Sequence, residues 1–262
     1  ILREKNEIAG DKIARRQIRE RILHTTEIAK SRLHEAIRDL TFLDNQGHSY
    51  KCNWKDIGQL VDNLAKKQFS KAPYINSEIL NREKPSAQAN QGLKKLLYAL
   101  LHDIGEEHLG IEGFPAERGL LEALLVSPGL YKQDKNKKWV ISEPPKENRE
   151  LINLWEDTGA YLRQKNNSAV NLQDIYNLWG SPPYGVSRGI CPLYAFLYIL
   201  NNWNKLAIYR QGLFRSEINE IDIDILLKTP KFIDLRLMNV SEEAKELLSE
   251  LTDLAQNKTN EN

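Results

Sequence analysis

A chain of 262 residues with 41% hydrophobic and 28% charged residues has room for one large domain or two modest ones, each with a real core. Its 37 Lys and Arg against 36 Asp and Glu give a formal charge of +1, which excludes a globally basic nucleic-acid binder but leaves room for a local basic patch. Cys52 and Cys191 lie far apart and outside any C-x-x-C spacing, so neither a disulfide framework nor a zinc site is expected, in keeping with a reducing cytoplasm.

The chain opens without Met in the middle of a charged helical pattern, which is expected of a piece of a longer protein. Ile1–Leu43 contains no proline and predicts a helical arm, with Ile18, Ile22, Ile28, Leu33, Ile37 and Leu40 as a partial apolar stripe. Arg15, Arg16, Arg19 and Arg21 cluster on it. A solvated or coiled-coil-like face is the plain reading, and a phosphate-contacting arm the sharper one. Asp44–Tyr50 reads as a turn, Lys51–Trp54 as a short strand and Trp54–Phe69 as a helix. Pro73 breaks that helix, and Tyr74–Asn81 reads as a short helical segment. Pro85-Ser86 opens a helix whose Leu93, Leu96, Leu97, Leu100 and Leu101 make a thick buried face.

Leu109–Pro145 is the most informative run. Pro115 suits the first turn of a helix, Leu120, Leu121, Leu124 and Leu125 continue it, and Pro128-Gly129 stops it. Leu130-Tyr131 and Trp139-Val140-Ile141 then flank a polar tip, Lys132–Lys138, as the arms of a hairpin. Helix, turn and basic hairpin together predict a winged-helix-like unit. Pro144-Pro145 predicts a joint between subdomains. Lys146–Arg163 is helical, and Leu172–Trp179 is a helix capped by Asn171. After the break at Ser181–Ile190, Cys191–Trp203 is an apolar helix. Its longest apolar run is about half the ~20 residues a membrane span needs, so no membrane partner is expected. Leu206–Tyr209 and Leu213–Phe214, around Arg210-Gln211-Gly212, predict a second tight hairpin. Glu220–Lys228 follows as helix, Phe232–Leu237 as strand and Ser241–Leu254 as amphipathic helix. The expected fold is mainly α with small β-hairpins: a helical N-terminal arm (1–45), two tandem winged-helix-like subdomains (46–145 and 146–255) and a disordered tail (256–262).

Chemistry is sparse. Neither GxxxxGK[ST] nor GxGxxG occurs, so the chain by itself is expected to bind no nucleotide. His102 and His108, with Asp103, Glu106 and Glu107 nearby, match no metal-ligand spacing, and a helix C-terminus favours His electrostatically. Cys191 starts a helix, which would favour a thiolate, but no histidine follows His108 to act as its base. A buried core residue is the plainer reading. The basic tip is the better lead. Lys132, Lys135, Lys137 and Lys138, with Trp139 at the base, could lie along a phosphate backbone, and Arg188 before the apolar helix could present a further cation with free N–H groups. The alternatives are a solvated loop and an arginine paired to a local carboxylate.

Three stretches are similar to a known family. NSEILNREKPS (Asn76–Ser86), LGIEGFPAERGLLEALL (Leu109–Leu125) and SPPYGVSRGICPL (Ser181–Leu193) resemble segments of the large bacterial P-loop ATPases of phage-defence islands, with BREX-type ATPases the nearest. Asn76, Glu78, Asn81, Arg82 and Ser86 match one element in part, Gly110 through Pro115 a second, and Pro182–Gly185 with Gly189 a third. The turn in Ala207–Phe214 resembles the family's tyrosine–x–x–glycine–x–phenylalanine element. The Walker motifs that define such an ATPase are absent. The resemblance therefore implies a non-catalytic region downstream of the motor, with ATP and Mg belonging to the parent protein and no cofactor in this chain. It further implies double-stranded DNA and other subunits of a cytoplasmic antiviral defence complex as partners. A purely structural assembly module, or part of a composite enzyme site completed by upstream residues, are the alternatives.

Overall fold

The computed structural model describes residues 11–38, 40–44, 46–165 and 168–238. The helix expected over Ser241–Leu254 and the 256–262 tail lie outside them, as does the start of the arm. The described chain is mainly helical with small antiparallel sheets, and its contacts divide it into one unit ending at Gln68 and a second starting at Phe69.

In the first unit, α1 (Lys12–Arg38) is a 27-residue helix with no buried side chain. It ends five residues before the expected limit at Leu43. Leu40–Leu43 is instead a strand, β1, paired antiparallel with β2 (Ser49–Cys52), so that Phe42 stands opposite Tyr50 and Thr41 opposite Lys51. Asp44 builds the turn, accepting backbone N–H bonds from Gln46 (2.9 Å) and His48 (2.8 Å). Hydrogen bonds to the turn, with the strand formers Thr41 and Phe42 just before it, let the chain leave the helical path. Helix α2 (Ile57–Gln68) completes the unit.

The second unit is organised around α7 (Cys191–Asn201), whose residues Cys191 to Ile199 are all buried. Helix α3 (Ala87–His102), capped by Ser86 Oγ accepting from the Ala89 N–H at 3.2 Å, lays Leu93, Leu96, Leu97 and Leu100 into the same core. Helix α4 (Ala116–Leu121) runs on as one wide turn over Glu122–Val126 into the hairpin β3 (Tyr131–Gln133) and β4 (Trp139–Ile141). Then come α5 (Arg149–Gln164), β5 (Val170–Asn171), α6 (Leu172–Gly180), α7, the hairpin β6 (Leu206–Arg210) and β7 (Leu213–Arg215), α8 (Glu220–Lys228) and β8 (Ile233–Leu237). The last strands form an antiparallel sheet of order β5-β8-β6-β7.

Two expectations change here. Pro144-Pro145 does not divide the packing: Leu130 and Tyr131 before it and Leu151, Leu154 and Leu162 after it belong to one apolar cluster, and Asn201 Nδ2 donates to the Ser142 carbonyl at 3.3 Å. The prolines end a strand without ending a core. Tyr74–Asn81 forms turns and no helix: the Asn81 N–H bonds back to Ser77 O at 2.8 Å, and the carbonyls at its end meet a distant loop. Leu80 O accepts from Ser187 Oγ (3.4 Å), and Arg82 O, just beyond, accepts from the Gly189 N–H (3.0 Å).

The PPYG turn is a strut. Buried Tyr184 donates its hydroxyl to the Asp157 carboxylate, which Lys71 Nζ also meets at 2.8 Å. The Lys71 ammonium, then the Tyr184 hydroxyl, hold the Asp157 carboxyl below the usual carboxylate range. A depressed carboxylate adds stability above its unfolded pKa and loses it as pH falls through the folded value. Between pH 7 and 3 the protein should therefore lose stability, and Asp157→Asn should lose measurably less over the same interval in urea titrations. Because Lys71 and Asp157 are each roughly two-fifths exposed, the difference should be small.

Candidate nucleic-acid interface

The β3–β4 hairpin leaves the core through a fixed base. Gly129 takes φ +75° to end the α4 run, and the Leu130 N–H donates back to Leu125 O at 2.8 Å. Ser142 then closes the far strand, its N–H to Leu130 O at 2.8 Å and its Oγ to Gly129 O at 2.7 Å. Tyr131 is buried and donates its hydroxyl to the Glu106 carbonyl. Trp139 stacks on the Tyr131 ring, with centroids 5.0 Å apart and 19° between planes, and has His108 on another side at 5.8 Å. Trp139 is thus a half-buried pillar of the hairpin.

The tip is tied by Asp134. Its Oδ1 accepts the N–H groups of Asn136 (2.8 Å) and Lys138 (2.9 Å), and its own N–H donates to Lys138 O at 2.8 Å. The one acid in the tip therefore points its charge at backbone. Lys132, Lys135, Lys137 and Lys138 are exposed, and among the described residues none of them makes an ion pair. Strand alternation puts Lys132, opposite Val140, on the face away from Tyr131 and Trp139. Lys137 has φ +62°, a left-handed position that costs a residue with a Cβ roughly 1–2 kcal/mol relative to its ordinary conformation. Glycine or asparagine would fill it more cheaply.

Arg188 is not part of this cluster. Its Nη2 donates to Asn177 Oδ1 at 2.8 Å and its Nε lies 3.8 Å from Glu83, while the neighbouring Gly189 N–H is committed to Arg82 O. The Ile190 N–H is likewise taken, by Ser187 O at 3.1 Å. Cys191 is buried, and desolvation pushes its thiol up to about 12, away from a thiolate. His102 and His108 go to different partners, Glu220 at 3.2 Å and Glu122 at 3.2 Å. Among the described residues no three potential metal ligands come together.

Compared with protein-family models, curated proteins and solved structures, the chain matches none.

A second basic surface is α1, with eight Lys or Arg against three Asp or Glu between Lys12 and Arg38. Part of that charge is internally balanced, since Arg16 meets Glu20 at 3.0 Å and Lys30 meets Glu27 at 3.1 Å. Among the described residues no helix is long and apolar enough to cross a membrane.

Proposed function

We propose that this chain is a non-catalytic module that contacts double-stranded DNA through the β3–β4 hairpin and packs against other subunits of an antiviral defence complex. The observation that carries the reading is a lysine in the left-handed position of a tip whose only acid is turned onto backbone. Conformational economy there favours glycine, so the charge is what the position retains. Four unpaired ammonium groups on a rigid arm suit a phosphate backbone, giving sequence-blind and salt-sensitive affinity. The likeness of three segments to phage-defence P-loop ATPases supplies the setting, with ATP and Mg handled by the parent protein. The winged-helix reading rests on the hairpin alone: α7, which precedes the β6–β7 hairpin, is buried along its length and offers no helix face to a groove.

Duplex binding should be measured across a salt series for the wild type, for Lys132, Lys135, Lys137 and Lys138 all changed to Ala, and for Lys137→Gly. The wild type should weaken steeply with salt. The fourfold variant should lose most of its affinity and flatten the log–log salt slope by about 3.6, close to one unit per phosphate contact. Lys137→Gly should be at least as heat-stable as the wild type yet bind more weakly. Equal binding by all three would sink the proposal, and binding abolished only by Arg19→Ala and Arg21→Ala would move the interface to α1.

A further inference from the structure

A cleft of about 560 Å³ opens beside the hairpin in the second unit, walled by the end of α3 (Leu101), by Trp139 and Ile141 of β4, by Leu200 of α7, and by Trp203. Its volume falls within the usual range of small-ligand sites. Glu217 is the only charged residue on its lining, and among the described residues that carboxylate has neither an ion pair nor a hydrogen bond. Trp203 leaves 36% of its surface open.

Each feature restricts what can occupy the space. Apolar walls need an apolar body. An anion would be repelled by the unpaired carboxylate at the rim, and a neutral apolar molecule would offer that exposed carboxylate no partner. A cation would satisfy the carboxylate, and the part-exposed indole of Trp203 attracts positive charge through its quadrupole. We infer that this cleft binds a small hydrophobic organic cation, a quaternary or protonated amine carried on an apolar body. The site shares Trp139 with the hairpin but does not depend on nucleic-acid binding.

The test is calorimetric titration of the full chain with benzyltrimethylammonium, alongside choline and its uncharged isostere 3,3-dimethylbutan-1-ol. Choline should bind about tenfold more tightly than the neutral molecule. Glu217→Gln, at an exposed position that should leave the melting temperature unchanged, should erase that preference. Trp203→Leu should weaken the cation by about fivefold and the neutral isostere much less. Equal affinity for choline and its isostere, an unchanged preference in Glu217→Gln, or no heat from any probe at millimolar concentration would each overturn the inference. DNA affinity measured in Glu217→Gln should match the wild type, which separates this site from the lysine tip.

Discussion

Asp222→Ala is expected to destabilise the protein by about 3 kcal/mol, near the lower end of the cost of removing one partner from a buried ion pair. Only 5% of the Asp222 side chain is exposed. Its Oδ1 accepts from Arg210 Nη1 at 2.9 Å, and Arg215 Nε, which makes no hydrogen bond, lies 3.8 Å from Oδ2 as an ion pair. The same Oδ2 accepts the Asn219 N–H at 3.0 Å, while Asn219 Oδ1 accepts from Ile221 and Asp222 at 3.1 and 3.2 Å. One carboxylate thus serves two guanidiniums of the β6–β7 hairpin and closes the capping box of α8. Alanine leaves the arginines uncompensated and removes half a cap, itself worth about 1 kcal/mol. The arginines are about a quarter exposed, which holds the loss to the lower end. Urea denaturation measures it, and Asp222→Asn, which keeps an acceptor for the Asn219 N–H, should cost less than alanine. Stability within about 0.5 kcal/mol of wild type, the range of an ordinary surface change, would mean the pair does not hold the hairpin.

What the sequence made legible follows the locality of the forces. The Asn171 cap, the β6–β7 turn and the bounds of α8 each depend on a few neighbouring residues. Asn171 Oδ1 accepts from Gln173 at 3.0 Å, Gln211 and Gly212 both take positive φ, and Asn219 begins a capping box. The β1–β2 hairpin was hidden because Leu40–Leu43 is a four-residue, largely apolar run directly after a helix. At that length strand and helix patterns cannot be told apart. The Tyr74–Asn81 segment was hidden for another reason: its end is held at Leu80 O, and just beyond at Arg82 O, by a loop more than a hundred residues away. At the candidate interface the lysines were visible as charge. The use Asp134 makes of its carboxylate and the left-handed Lys137 were not, since both exist only once the turn has formed. The ammonium cleft left no trace at all, because its lining is gathered from separate stretches between Leu101 and Ile218.

Gly189→Ala should be at least as damaging, with a loss of about 3 kcal/mol or failure to accumulate as folded protein. A Cβ there would stand 2.2 Å from Leu80 O, 2.5 Å from Pro85 Cγ and 2.9 Å from Arg82 O. Two of those atoms are backbone, so no side chain can swing aside. Moving the loop outward would break the Gly189 N–H bond to Arg82 O and draw Ser187 Oγ off Leu80 O. The loop runs directly into α7, so displacement there propagates to the centre of the core, where interiors yield poorly to added volume. This contact also gives a physical account of two stretches that stood out in the sequence. NREKPS and SPPYGVSRG are the two sides of one seam, closed by a glycine with no room for a methyl group. Gly119→Ala provides the contrast. It lies in α4, where an added Cβ would meet nothing within 4 Å, and should raise stability by up to about 1 kcal/mol through helix propensity. Thermal melts of the two variants side by side decide the matter, because steric exclusion predicts opposite signs for the same chemical change.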